Sequence, residues 1–313
     1  MKTIKKISFI LVLISGTITI YAQQLPMYTH YMNNTLIVNP GYAGSRDALT
    51  ITALHRSQWV GFDGAPSTQT LTAHSPVFNE NTGLGLSVLN DKIGPTNNTS
   101  AFAYYAYKIK LNNKSKLALG LSGGVNIFQA QLSALDLDQQ TDPSFQANIN
   151  NKVTPNFGFG AYYSRERFYA GISVPCLLQN SYSEILQTDG NTLLAKEQRH
   201  YFFIAGMLFN LSNNLEFKPT TLIKMTPAAP VQADFTASFI IAKKMLLGAM
   251  IRTGDSFGAL VGFNITEQFH IGYSYDWSYG LKTAKYNQGS HEILLRYDFI
   301  FSSKNQIHSP RNF

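Results

Sequence analysis

Cysteine is almost missing from this sequence. Cys176 is the only one in 313 residues, so no internal disulfide can form. An exported chain without disulfides must take its rigidity from elsewhere, and a sheet closed on itself supplies it. Cys176 itself reads as a small apolar residue on a strand. Long apolar runs are missing too. Ile7 to Ile14 is mostly apolar but too short to span a bilayer as a helix, and no later stretch approaches the required length. A helical membrane protein is therefore excluded. Charge is scarce: only 14% of residues are Asp, Glu, Lys or Arg, low for a surface that meets water. The net charge of +7 falls to +4 without residues 1–22, which hold three lysines and no acid. No cluster of Lys and Arg survives after that point, so nucleic acid is not expected as a partner.

The chemistry of known sites is also lacking. The seven histidines have no metal-ligand spacing. His55, His74, His200, His270 and His291 stand singly in strand-like segments, and His30 and His308 lie near the ends. Gly120-Leu-Ser122-Gly-Gly124 matches the spelling of a nucleophile elbow, but alternation runs straight through the serine and no helix follows. Gly158-Phe-Gly160 sits inside a strand pattern, not before a helix, so phosphate binding is not supported. Glu184 and Asp189 are paired only by sharing a long loop. We expect no enzyme, no catalytic residue, no metal and no cofactor.

What the sequence has is strict alternation. From Gln268 to Tyr279, Phe269, Ile271, Tyr273, Tyr275, Trp277 and Tyr279 alternate with Gln268, His270, Gly272, Ser274, Asp276 and Ser278. Side chains alternate across a strand, so one face is aromatic and the other small and polar. Val231–Ile241, Lys116–Ile127 and Glu292–Phe301 repeat the pattern. About fourteen such segments follow one another, each near the ten residues a tilted strand needs to cross a membrane. Aromatics make up 13% of the chain, which suits a wall facing lipid.

The connections separate by parity. Those centred on Asn79-Glu80, Asn112-Asn113, Arg165-Glu166, Asn213-Asn214, Lys243-Lys244 and Glu267 are short. The long ones, Gln129–Lys152, Leu177–Glu197 and Trp277–Gly289, all fall in the other set. Short turns on one rim and long loops on the other mark an outer-membrane barrel. The expected fold is therefore all-β: a closed antiparallel transmembrane β-barrel of about fourteen strands, with short periplasmic turns and longer extracellular loops. Arg56, Asp234, Asp276, Arg296 and Asp298 fall on polar faces, where they are expected to pair inside the barrel.

The expected organisation has four parts. Residues 1–22 read as a signal peptide, with Lys2, Lys5 and Lys6 before the apolar stretch and small residues before a cleavage point after Ala22. Residues 23–47 are expected as a periplasmic N-terminal segment and a candidate plug, 48–301 as the barrel, and 302–313 as a C-terminal tail.

Three blocks recur in a fixed order: Asn39-Pro-Gly-Tyr-Ala-Gly-Ser45, then His55-Arg-Ser-Gln-Trp-Val-Gly-Phe62, then Asn90-Asp-Lys-Ile-Gly-Pro95. With the closing Ser309-Pro-Arg-Asn-Phe313, they resemble the PorP/SprF family of type IX secretion outer-membrane proteins of Bacteroidetes. Gly41 stands where that family usually has Ala. The resemblance implies a non-enzymatic role, assisting export or surface attachment of cargo such as adhesins by binding their C-terminal domains, with a link in some members to gliding motility. It implies outer-membrane lipid, secreted cargo and other secretion-system components as partners. Asn39, Pro40, Tyr42, Gly44, Arg56, Gln58 and Trp59 are the candidate partner-binding or structural residues. A membrane channel or hydrophobic-solute transporter is the alternative, and a soluble secreted β-sandwich binder is a third reading.

Overall fold

The computed structural model describes residues 25–78, 80–135, 148–186, 192–227, 229–279 and 285–300. The expected signal peptide and C-terminal tail lie outside the described residues. Among the described residues, seventeen strands run in chain order. The first seven are β1 (Leu49–Ser57), β2 (Ser67–Pro76), β3 (Thr82–Ile93), β4 (Thr96–Asn112), β5 (Ser115–Ala130), β6 (Ile149–Arg165) and β7 (Phe168–Val174). β8 (Ser181–Leu186) and β9 (Thr192–Lys196) form a separate hairpin within the loop after β7. The rest are β10 (Tyr201–Met207), β11 (Phe209–Ser212), β12 (Leu215–Met225), β13 (Gln232–Ile241), β14 (Met245–Arg252), β15 (Ser256–Asn264), β16 (Phe269–Ser278) and β17 (Ser290–Phe299).

Apart from the hairpin, each strand pairs antiparallel with the next, and β17 returns to β1 through Leu49↔Phe299 to Ser57↔His291. β10 and β11 are two halves of one stave, because both face β12 in a single register, Gly206↔Thr220 and then Phe209↔Phe217. The wall is thus a closed cylinder of 14 staves, not two stacked layers. Closure gives every stave a neighbour on both sides, as lipid, which offers no hydrogen-bond partners, requires.

The alternation sorts each stave as the sequence implied. Ile293 is 46% exposed on the outside, and its neighbour Leu294 is wholly buried inside. Leu71, Leu86, Leu121, Phe157, Ile172, Phe235 and Trp277 face outward in the same way. An apolar belt of this extent is unusual for a surface in water and ordinary for one in lipid. The connections keep their parity. The turns at 77–81, 113–114, 166–167, 213–214, 242–244 and 265–268 share one rim, and the longest connections, 131–148, 175–200 and 279–289, lie on the other.

Residues 25–48 run through the lumen. Leu25 lies against Lys224 near the long-loop end of β12, with its carbonyl accepting from Lys224 Nζ at 2.9 Å. Arg46 pairs with Asp298 at the short-turn end of β17. Between them come a single α-turn, Thr35–Val38, and a 3-10 turn, Pro40–Tyr42. The segment was expected as a periplasmic N-terminal segment and candidate plug, and its described residues lie inside the barrel. β1 does begin at the short-turn rim, but the chain before it crosses the barrel, so residue 25 stands at the opposite rim. The small lumen-facing residues explain how it fits. A Cβ at Gly120 would overlap the backbone of Pro40 and Gly41, and one at Gly83 would overlap that of Ala43. The wall lacks side chains where the threaded backbone touches it.

Candidate functional site

Two features organise the lumen: a belt of buried ions that grips the threaded segment, and an apolar pocket beneath the long loops.

The belt lies toward the long-loop end. Arg56 NH2 meets Asp276 Oδ2 at 2.8 Å, and its NH1 meets Glu292 Oε2 at 3.2 Å. Glu292 also accepts the backbone N–H groups of Thr29 (2.9 Å) and His30 (2.7 Å), and faces His30 Nδ1 at 2.8 Å. Thr29 Oγ1 donates to Asp276 Oδ2 at 2.7 Å. Next to this group, Arg252 grips Asp234 in a two-pronged pair, Nε to Oδ1 at 2.9 Å and NH2 to Oδ2 at 2.8 Å. Its NH2 also donates to the Tyr28 carbonyl at 3.3 Å. Charges buried in a sheet are tolerable only when paired and hydrogen-bonded, and here the partners include the backbone of the segment itself.

Below the belt, Tyr31 OH lies 3.0 Å from Thr220 Oγ1 and 3.2 Å from Thr236 Oγ1. Asn34 donates to Thr70 Oγ1 at 3.1 Å and accepts from Thr72 Oγ1 at 3.0 Å.

The expected motif residues divide between the lumen and the rim. Asn39 accepts the Gly41 N–H at 2.8 Å and donates to the carbonyls of Ala161 (3.1 Å) and Ile172 (3.3 Å). Pro40 opens the 3-10 turn. The Tyr42 ring meets Tyr162 edge-on at 5.4 Å and His74 at 5.3 Å. Gly44 has φ +66°, and its carbonyl accepts from Lys108 Nζ. Arg56 belongs to the belt. Gln58 and Trp59 are brought to the long-loop rim instead. The Gln58 N–H donates to the Pro66 carbonyl at 2.9 Å and the Trp59 N–H to Ser290 Oγ at 3.2 Å. The structure therefore joins Asn39, Pro40, Tyr42 and Gly44 in one contact zone with the wall, and separates them from Gln58 and Trp59.

The pocket has a volume of about 100 Å³. Met27, Ile37, Leu89, Phe102 and Leu222 give it an apolar lining. Asn98 and His200 also line it, and their buried atoms Asn98 Oδ1 and His200 Nε2 have no hydrogen-bond partner. His200 Nδ1 lies 2.8 Å from the Gln198 carbonyl, which fixes the proton there and leaves Nε2 as an acceptor. Burial and nearby Lys224 push the His200 pKa down to about 4. On the pocket's polar side, Glu197 accepts from Asn126 (3.0 Å), Asn156 (2.9 Å) and Asn180 (3.0 Å). Burial, with Glu197 nearby, pushes the Cys176 thiol up to about 12. The arrangement suits an apolar group.

Sequence reasoning did not find Thr29, His30, Arg252 or Glu197 as partners. Arg252 and Glu292 stood at polar positions of alternating strands, which was a usable signal. Thr29 and His30 carried none, since their role depends on threading. Among the described residues, no three His, Cys, Asp or Glu side chains are grouped to hold a metal ion.

The family model described as type IX secretion system membrane protein PorP/SprF matches residues 20–297. Among solved structures, the outer membrane protein Omp33 of Acinetobacter baumannii is similar at 9% identity and TM-score 0.47, over 82% of this chain and 100% of that one. The CymD monoaromatic hydrocarbon channel is similar at 8% identity and TM-score 0.46, over 89% and 95%. The NanC porin is similar at 9% identity and TM-score 0.42, over 81% and 100%. No curated protein matches the chain.

Proposed function

The chain belongs to the PorP/SprF family of type IX secretion system membrane proteins, an outer-membrane β-barrel, and on that premise we propose that it is a non-enzymatic component that binds the C-terminal domain of secreted cargo. Its task is to assist export of that cargo or its attachment to the surface, with adhesins as the cargo class and gliding motility as one process served. Outer-membrane lipid surrounds the wall, and other secretion components are its further partners.

The observation that carries this reading is the division of labour within the barrel. The lumen is occupied by residues 25–48, while the long loops and the apolar pocket gather at one rim. A docking surface at that rim needs no open pore behind it. The pocket's apolar lining would receive an apolar side chain of the cargo. The filled lumen speaks against the alternative of a diffusion channel or solute transporter.

Affinity capture of the tagged protein from detergent-solubilised outer membrane tests the proposal. An adhesin-sized partner should be recovered, and its isolated C-terminal domain should compete it off. Normal surface display of that adhesin in a deletion strain would overturn the role.

A further inference from the structure

At the short-turn rim one strand overhangs its neighbour. The ladder between β10 and β7 ends at Met207↔Phe168, where the chain turns back into β6. One further bond follows, from the Leu208 N–H to the Arg167 carbonyl at 2.9 Å. β11 runs on past that point, paired with β12 and with no other strand among the described residues. Backbone groups of an antiparallel strand face its two sides in alternation. Two residues after Leu208, the Asn210 N–H and C=O therefore face the side where β7 has ended. The register against β12 shifts only beyond that residue, between Asn210 and Ser212.

This edge is unguarded. All four residues of β11 are exposed, Phe209 by 45% and Leu211 by 56%. None is proline and none is charged, the residue types that usually keep an edge from pairing. Phe209 stacks on Phe217 at 6.2 Å, and Phe217 meets Phe239 at 5.2 Å, so the face beside the edge is apolar. Arg165, Glu166 and Arg167 are exposed where the edge begins. Charges of that kind stay out of hydrocarbon, so the edge stands in water and is open to a guest strand.

Charge selects the guest. The exposed and half-buried ions around β11 are four cations (Arg165, Arg167, Lys243, Lys244) and two acids (Glu166, and Glu216 opposite Asn210). The two lysines are brought there by the Ala242 N–H, which donates to the Asn214 carbonyl at 2.7 Å. A second copy of this chain, edge to edge, would set the same cations against each other. Residues 301–313 hold Lys304 and Arg311 and no acid, so they do not complement the rim either. An extended segment with acidic ends and apolar side chains at alternate positions matches both the charge and the aromatic face.

We propose that the free edge of β11 binds an acidic, extended segment of a partner protein by strand addition. The guest continues the line of β7, exchanges backbone hydrogen bonds with Asn210 and lays its apolar side chains beside Phe209 and Leu211. The site lies on the rim opposite the cargo pocket and does not depend on it.

The test uses the full folded barrel in detergent, titrated into a fluorescent peptide that alternates valine and threonine between terminal aspartates. Anisotropy should show saturable binding. The same peptide with lysines for the aspartates should bind more weakly, and R165E with R167E should remove that preference. N210P deletes the N–H that faces the guest and spares the ladder to β12, and proline is tolerated at a sheet edge. It should weaken binding about tenfold, the worth of roughly one backbone hydrogen bond. Should N210P fail to fold, a peptide N-methylated on alternate amides decides, since it keeps the charge and loses the ladder. Equal binding of the N-methylated or the lysine peptide, or unchanged binding by folded N210P, would overturn the site. So would dimerisation of the parent that N210P abolishes, which assigns the edge to a second copy. Peptide binding that appears only after deletion of residues 301–313 would assign it to that segment and overturn the proposal as well.

Discussion

Glu292 receives two N–H groups of His30, the backbone one at 2.7 Å and the ring Nδ1 at 2.8 Å, and so fastens the threaded segment to the last stave of the wall. Because β17 also closes the barrel on β1, the same residue links threading to closure.

Replacing Glu292 with Gln should loosen both. The amide would lose the charge that faces Arg56 and present hydrogens to groups that already donate. The expected cost is about 3 kcal/mol, in the range of a hydrogen bond to a charged group. A lowered midpoint of heat-modifiable migration on gels, with faster proteolysis between residues 25 and 48, is the outcome to look for. A variant as stable and as protease-resistant as the parent would show that the segment is held by other contacts.

Gly120 should be the place where the lumen can be opened without harming the wall. In G120V, the added side chain meets the backbone of Pro40 and Gly41. Valine is at home in a strand, so the barrel itself should still form. The segment is then displaced, and conductance across planar bilayers should rise well above the parent's. Parent-like conductance from folded G120V would contradict the close approach.

The Asp234–Arg252 pair offers a double-mutant cycle. Both side chains are fully buried, so D234L or R252M alone breaks the pair, with Asp255 at 3.4 Å only a partial substitute partner for Arg252, and should cost about 3–5 kcal/mol. Replacing the two together by Leu and Met should cost less than either single change, because no orphan ion remains. Additive losses in urea unfolding would mean that the partners do not depend on each other.

His200 should make stability depend on pH. It precedes β10 at the long-loop rim, and its folded pKa of about 4 lies below the ordinary histidine value near 6.5. Between those values the unfolded chain takes up the proton and the folded one does not. The stabilisation is therefore complete above about pH 6.5 and is lost as pH falls toward 4. Urea titrations across that window should show the loss in the parent and a shallower one in H200Q.

Much of this was legible in the alternation. Every expected stave is present, since inward and outward positions differ so sharply that shifting register by one would put Arg56 and Asp298 into lipid. Strand ends were less legible: β6 begins at Ile149 rather than Val153, because pairing continues past the apolar stretch. The hairpin β8–β9 was not anticipated. Of the inward charges expected to pair, Arg56 and Asp276 pair with each other, Asp234 with Arg252 and Asp298 with Arg46, while Arg296 comes no nearer than 3.7 Å to Asp298. What alternation could not reveal was the path of residues 25–48. That path follows from contacts more than a hundred residues apart, such as Asn39 with Ala161, and no local pattern encodes them. The small residues at Gly83 and Gly120 implied a crowded lumen without saying what crowded it.

Cys176 should report on the rim pocket directly. Its thiol is pushed up to about 12 by burial and by Glu197, against about 8.5 for a free cysteine. The thiolate is the reactive form, so its fraction at neutral pH is on the order of a thousandfold smaller than for an exposed thiol. Maleimide labelling of the folded protein should accordingly be slow, and unfolding in urea should make it fast. The same residue lines the pocket proposed to receive cargo. Adding a cargo C-terminal domain should slow labelling further, and a maleimide-blocked thiol should weaken capture of that domain. Rapid labelling of the folded barrel would mean that the pocket is open to water rather than apolar. Slow labelling that cargo leaves unchanged would move the docking surface elsewhere on the rim.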